Sequence, residues 1–282
     1  MNKPVYAIIG VKDEALSIEN VLRQLWRSKV AGAMVICNGC TDESYERTQA
    51  IARTSPYPIC ATSIPSPLGH DVARAVGTYA LLRRLPVGAE ALCLYIDGDW
   101  SGAFGPALHD FITFGIERDA DVLSLSRTCL VDDAMRTAAT SWQQALTLQQ
   151  VVPVDALPFM VPMLVHTRLF HQLSPLLLAH PGVFIARCAM LQSISWHTFD
   201  VWDQRLTGHR SRNRQHAQAM RARIALDGHT AHAILSGRRC KNTPSPSGIP
   251  PRNFAALLSC AAQATWPLPR TKRVRAPKTY RG

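Results

Sequence analysis

Residues 92–102 read LCLYIDGDWSG. Five mostly apolar residues, of strand length and composition, run into two carboxylates, Asp97 and Asp99, separated by a single glycine. Two anions held that close repel each other, and the arrangement costs stability unless a cation sits between them. A strand of this kind is buried on both faces, which points to a parallel sheet, and the acids mark the edge of that sheet where ligands bind.

The chain around this stretch repeats the pattern. VYAIIGV (5–11) is an apolar, β-branched run, followed by a segment in which Ile18, Val21, Leu22, Leu25 and Trp26 recur at helical spacing behind leading acids. AMVICN (33–38) predicts a second strand, and TDESYERTQAIART a second helix capped by Thr41 or Asp42. ICATSI (59–64) predicts a third strand, and GHDVARAVGTYALLRR a helix with Val72, Ala75, Val76, Tyr79 and Leu82 inward. Residues 91–97 form the fourth strand, a helix lies near 105–118, and DVLSLSR (121–127) is the fifth strand. Alternation of this sort defines an α/β fold with a mostly parallel sheet covered on both faces.

Beyond residue 130 the pattern loosens. DDAMRTAATSWQQALTLQQ predicts a helix, and residues 151–182, with five prolines, a mix of short helices and loops. GVFIAR (182–187) reads as a further strand. RQHAQAMRARIALDG reads as a helix ended by Gly228, with TAHAIL as a strand after it. The expected organisation is a regular first half over 1–130, a looser second half of the same domain over 131–240, and a linker with a basic, disordered tail over 241–282. The last 13 residues carry six basic residues and no acid.

Composition bounds the function. The 282 residues are 47% hydrophobic, enough for a sizeable core. The N-terminus turns acidic too soon for a signal peptide, and the longest apolar runs are interrupted by prolines, so the chain reads as soluble and cytoplasmic, with peripheral membrane contact as an option. Eight cysteines without an export signal read as reduced thiols. Cys37 and Cys40 form one C-x-x-C with no second pair to complete a zinc site, and burial at a strand end is their expected state. Residues 1–135 hold 16 acids and 12 Lys or Arg, whereas residues 136–282 hold 4 and 19. The second half therefore faces something anionic: a phosphate-bearing substrate, anionic lipid or nucleic acid.

Four pieces in order, YAIIGVKDE, VICNGCTDES, GHDVARAVG and LYIDGDW, resemble family-2 glycosyltransferases of the GT-A fold, a Rossmann-like architecture. The resemblance covers residues 5–130, a little under half of the chain. It implies a metal-dependent glycosyltransferase that moves a sugar from a UDP- or GDP-sugar to an unknown acceptor, with 1–130 as the nucleotide-sugar-binding half and 131–240 as the acceptor-side half; the basic second half leaves an anionic or membrane-proximal acceptor as an option. Asp97 and Asp99 would hold Mg²⁺ or Mn²⁺, which prefer oxygen ligands and stabilise the charge developing on a leaving diphosphate. By the same resemblance Gly10, Glu14, Asn38, Gly69, His70, Arg74 and Asp97 should surround the nucleotide. Gly10 stands in place of the family's usual proline, and Asn38 where an aspartate is common. Asp71 and Arg74 have an alternative reading as a helix-surface ion pair.

The second half offers four acids. Asp227 sits at an expected helix end, solvated, and Asp155 in the proline-rich stretch. The resemblance implies an acceptor-side carboxylate as general base, and Asp200 and Asp203 are its remaining candidates, with Trp196 and Trp202 beside them as sugar-stacking rings; helix capping is the alternative. The resemblance also implies a histidine from the second half on the metal, for which His216 fits best, with His209 and His232 competing and a structural histidine as the alternative. Arg210, Arg212 and Arg214 could clamp a diphosphate. Two rivals stand beside this reading. A nucleotidyltransferase would carry a glycine-rich loop after the first strand, which IIGVKDEA lacks. A nucleic-acid-binding protein would use the basic half but leave Asp97 and Asp99 unexplained.

Overall fold

The computed structural model describes residues 3–69, 71–86, 88–130, 133–191, 193–203, 206 and 211–237, with the backbone alone for 211–217. The first half alternates as the sequence predicts: β1 (Val5–Val11), α1 (Ile18–Arg27), β2 (Gly32–Asn38), α2 (Ser44–Thr54), β3 (Ile59–Ile64), α3 (Val72–Leu82), β4 (Leu92–Asp97), α4 (Gly105–Glu117) and β5 (Val122–Ser126). The rest adds α5 (Asp133–Leu146), β6 (Ala156–Leu157), β7 (Met163–His166), α6 (Pro181–Ala189), β8 (Trp196–Phe199) and α7 (Ser211–Leu235).

All eight strands join one sheet in the order β3-β2-β1-β4-β7-β5-β6, with β8 paired to β5. β1 to β4 are mutually parallel, β7 runs antiparallel to both β4 and β5, and β8 is parallel to β5. The C-terminal ends of β1, β2, β4, β5 and β8 therefore share one edge. Alternate residues of each strand feed two cores. Val5, Ala7, Ile9 and Val11 face α1 and α4, while Tyr6 and Ile8 face α3, α5, α6 and α7. Strands buried on both sides explain the unbroken apolar runs.

Four elements differ from the sequence reading. GVFIAR is helix α6, led by Pro181 in its first turn and buried on most sides, so its apolar run has no period to mark it. TAHAIL is not a strand but the end of α7, which continues through Gly228. Gly228 allows a close helix crossing instead of a cap: a Cβ there would overlap Ser141 Oγ and lie 2.9 Å from Trp142 N. Asp227 is accordingly buried in mid-helix and not solvated at an end. Residues 151–182 contribute β6 and β7 along with 3₁₀ turns over 167–171 and 175–179. The proposed tail, 241–282, lies outside the described residues, as do His70, His209 and Arg210.

Candidate active site

The strand order reverses direction between β1 and β4. Connections leave β1 towards β2 and β3 on one side, while β4 lies on the other, so the loops after β1 and β4 diverge and open a crevice at the sheet edge. Asp97 ends β4 at this point, in register with Gly10 of β1. Gly98 N–H donates to the Gly10 carbonyl at 2.9 Å. A Cβ on Gly98 would lie 2.7 Å from Val11 Cγ2 and 3.0 Å from the Gly10 carbonyl oxygen, so only glycine lets the turn fold down onto β1. Asp97 and Asp99 are both partly exposed on either side of buried Gly98.

The start of α1 clamps this turn. Ser17 Oγ donates to the Gly98 carbonyl at 2.7 Å, and Asn20 Nδ2 to the Gly102 carbonyl at 3.0 Å. Trp100 is buried against Phe104, with ring centroids 4.9 Å apart, and against Trp202 at 5.7 Å. The two carboxylates thus stand on a turn fixed at its carbonyls and its aromatic anchor, a pair of oxygen donors suited to a hard divalent cation.

The neighbouring loops bring three more expected residues to the same edge. Glu14 follows β1; its N–H donates to Ser44 Oγ at 2.7 Å and its carboxylate lies 3.4 Å from Ser17 Oγ. Asn38 ends β2, but its side chain is turned to the protein: Nδ2 donates to the Gly69 carbonyl at 2.7 Å and Oδ1 accepts from Leu68 N–H at 2.9 Å. It shapes the loop before α3. Gly69 holds φ at +120°, a region other residues avoid.

Arg74 departs from expectation. It is buried one turn into α3, its guanidinium 3.5 Å from the Phe159 carbonyl and 3.6 Å from Asp71. The pair is not on the helix surface; it ties α3 to the segment between β6 and β7. Behind it lies a second buried pair, Arg223 Nε to Asp227 Oδ2 at 3.1 Å. Burial first, and the Asp71 carboxylate second, lift Asp227 to about 7 against the pull of Arg223 and the Gly182 N–H. Burial and Arg223 lower His180, which leads α6.

In the second half, Asp200 follows the end of β8 and is exposed, and Asp203 is partly buried. Trp196 and Trp202 are not available for stacking on a sugar: both are buried, Trp196 donating to Ser124 Oγ at 3.0 Å. Asp155, set aside by its proline-rich surroundings, reaches the same edge, where Ser126 Oγ at the end of β5 donates to it at 2.8 Å. No local spacing announces that contact, because it joins residues 29 apart in sequence. His216, Arg212 and Arg214 lie on the first turns of α7, of which only the backbone is described; His232 lies near its end. Among the described residues no helix is long and apolar enough to cross a membrane.

An open cavity of about 280 Å³ at the opposite edge is lined by Asp121, Arg168 and His171 among others. Its charges are already paired, Arg168 Nε to Asp121 at 2.5 Å and Nη1 to Asp119 at 3.0 Å. It lies away from the crevice.

This strand order, with helices on both faces and a carboxylate pair at the end of β4, defines a GT-A glycosyltransferase fold. No family profile and no curated protein matches the sequence. Among solved structures, glucosyl-3-phosphoglycerate synthase from Mycobacterium tuberculosis, in complex with Mn²⁺, UDP-glucose and phosphoglyceric acid, aligns at TM-score 0.50 and 16% identity. The match covers 84% of this chain and 80% of that one. S. aureus TarS 1–349 aligns over 89% and 99% of the two chains at TM-score 0.42 and 10% identity. At 16% identity the likeness to the synthase speaks for the fold alone.

Proposed function

We propose that this protein is a metal-dependent glycosyltransferase that takes a sugar from a nucleoside-diphosphate donor, a UDP- or GDP-sugar. The observation that carries the reading is the position of Asp97-Gly98-Asp99: two oxygen ligands fixed on a clamped turn, in the crevice where the sheet changes direction. The M. tuberculosis synthase of like fold was solved with Mn²⁺ and a UDP-sugar, which supports the same ligand classes here. Asp97 and Asp99 would hold Mg²⁺ or Mn²⁺, with His216 as a candidate third ligand. A divalent cation there supplies charge stabilisation for the leaving diphosphate and offsets the repulsion of the two acids.

The chain's own groups do the rest. Glu14 and the Asn38-shaped loop at Gly69 form the nucleotide wall, and His70, next in sequence, is a candidate nucleotide contact. Gly10, a candidate nucleotide contact, lets α3 approach β1, since a Cβ there would lie 3.2 Å from Ala73 Cβ, and Arg74 holds that wall against the acceptor side. Asp200 and Asp203 are the candidate bases that would take the acceptor proton. The excess of cations in the second half suits an anionic or membrane-proximal acceptor.

A melting-temperature panel of UDP, GDP, CDP and ADP, each with and without Mn²⁺, tests the donor assignment. A nucleotide at a hundredfold excess over its dissociation constant stabilises by about 2.7 kcal/mol. UDP or GDP should do so only with the metal present, and a flat response across the panel overturns the reading. For the base, Asp200→Asn or Asp203→Asn should cut turnover strongly while leaving donor binding intact, since the interaction matters only in the transition state. Equal, modest losses in both variants would assign the two residues to structure.

A further inference from the structure

The two thiols of the C-N-G-C turn at the end of β2, Cys37 and Cys40, have no part in the sugar chemistry proposed above. Cys37 is buried and stands in register with Val11 of β1. Gly39, at φ +70°, reverses the chain. Cys40 then comes back over the strand end, its Sγ donating to the Val11 carbonyl and accepting from Asp13 N–H, both at 3.4 Å. Both thiols face the same core as Val11, Cys37 sealed within it and Cys40 partly exposed against its edge.

A metal is the first alternative for this place, since Asp13, Cys40 and Asp42 offer ligand atoms within 4.8 Å of one another. Their carboxylate oxygens are already engaged. Asp13 Oδ1 accepts from Thr41 N–H at 2.6 Å and its Oδ2 faces Lys12 Nζ at 3.0 Å. Asp42 Oδ1 accepts from Ser44 N–H and its Oδ2 from Ala15 N–H, both at 3.0 Å. The acids hold the loop together, and the pair of thiols is what remains to react.

We propose that Cys37 and Cys40 are a site of reversible oxidation, closing to a disulfide when the protein meets a hydroperoxide, and that the closed form locks the loops of the nucleotide wall. The site's chemistry stands on the thiols alone; its effect on donor binding rests on the glycosyltransferase reading. Cys40 is the attacking sulfur. The hydrogen bond from Cys37 draws it down to about 7, helped by Asp13 N–H and opposed by burial and by the Asp13 and Asp42 carboxylates. Cys37, holding its proton in that bond and buried, is pushed far above the ordinary thiol range. The partly exposed Cys40 is therefore the thiol that a peroxide reaches first, and buried Cys37 is its resolving partner.

The electrons balance. Cys40 thiolate attacks a peroxide oxygen; the S–O bond forms, the O–O bond breaks, and the leaving hydroxide takes up a proton as water. Cys37 sulfur then attacks the Cys40 sulfenic sulfur, its proton leaving with the displaced hydroxyl as a second water. Two thiols are oxidised and one peroxide is reduced to two waters. A dithiol such as dithiothreitol reverses the step by exchange.

The lock follows from what the turn holds. Once bonded, Cys40 sulfur has no proton for the Val11 carbonyl. The ring enclosing Asn38 and Gly39 tightens, and these residues hold the next loop: Asn38 binds Leu68 and Gly69, and Gly39 N–H donates to the Ile64 carbonyl at 2.8 Å. Lys12 Nζ also donates to the Gly39 carbonyl. Strain in this turn passes directly to residues 12–14 and 64–69.

The test treats full-length reduced protein with hydrogen peroxide, blocks free thiols with N-ethylmaleimide and maps the peptides. The peptide spanning 37–40 should be unblocked and lighter by two hydrogens, returning to the dithiol with dithiothreitol. Cys37→Ser should leave Cys40 as a sulfenic acid captured by dimedone. A blocked dithiol in the oxidised wild type, or no dimedone adduct in Cys37→Ser, overturns the site. The lock is read by amide exchange of residues 12–14 and 64–69, which should change on oxidation in the wild type and not in Cys40→Ser; unchanged exchange overturns it. The melting shift produced by UDP or GDP with Mn²⁺ should be lost on oxidation and restored by dithiothreitol; a shift that survives oxidation overturns the effect on donor binding. If the reduced protein shows no nucleotide shift at all, the donor reading fails, while peptide mapping and exchange still decide the disulfide and the lock.

Discussion

Gly98 decides how two carboxylates are presented at the end of β4. Val11, into which a Cβ at 98 would press, is buried and β-branched, with little rotamer freedom to move aside. Gly98→Ala should therefore cost about 1–3 kcal/mol in urea unfolding, and lift the turn enough to weaken Mn²⁺-dependent nucleotide binding. Asp99→Ala acts the other way on the apoprotein. It removes one of two neighbouring anions, so the metal-free melting temperature should hold or rise while the metal-dependent nucleotide shift disappears. Undiminished metal-dependent turnover in Asp99→Ala would remove it from the site. The acids on this turn are legible in the sequence because a strand and its exit are contiguous. The engagement of Asn38 and Arg74 is not, because Gly69 and Phe159 reach them from other segments. A spacing argument names the loop and leaves open whether a side chain faces ligand or protein.

Helix α7 shows where reading by elements fails. A glycine after a basic, amphipathic stretch is the ordinary sign of a helix end, yet Gly228 sits mid-helix because α5 crosses there at contact distance. Helix propensity alone would have Gly228→Ala stabilise by about 1 kcal/mol. The new Cβ, however, meets the α5 backbone at Trp142 N, which cannot rotate away, and the buried Ser141 hydroxyl. Clash should win, with a net loss of about 1–3 kcal/mol in urea unfolding and a parallel loss of Trp142 fluorescence packing. A stabilised variant would mean that the two helices are farther apart than described. The first five strands are readable from sequence because burial on both faces makes them apolar throughout and their connecting helices carry clear stripes. β6, β7 and β8 are not, since they are two to four residues long and gain their identity only by pairing with β5 and β4.

At the scale of the molecule, buried charge sets how stability responds to pH. Asp13 is held down to about 2 by the Thr41 N–H and Lys12, which outweigh its burial, and its contribution is present above the unfolded value and lost as pH falls through about 2. His166 is held neutral, down at about 4, chiefly by burial, with Lys3 and Arg168 adding to it. Its stabilising neutral form is favoured above the unfolded value of 6.5 and lost as pH falls through about 4. Asp227 works in the opposite sense. Its folded value, about 7, lies above the unfolded 3.8, so the folded state binds the proton more tightly. That contribution is complete below the unfolded value and disappears as pH rises through about 7. The groups that act on it are Asp71 at the N-cap of α3, the Gly182 N–H at the head of α6, and Arg223 on its own helix. Asp227→Asn keeps the shape and removes the titration. Unfolding by urea at about pH 5 and about pH 8 should show the variant gaining on the wild type by on the order of 2 kcal/mol between the two, from a linkage of about 1.4 kcal/mol per pH unit over the window up to about 7. Parallel profiles would mean that Arg223 keeps the carboxylate charged throughout. A variant that loses ground on the alkaline side would mean that the charged pair, and not the proton, holds α6 and α7 together.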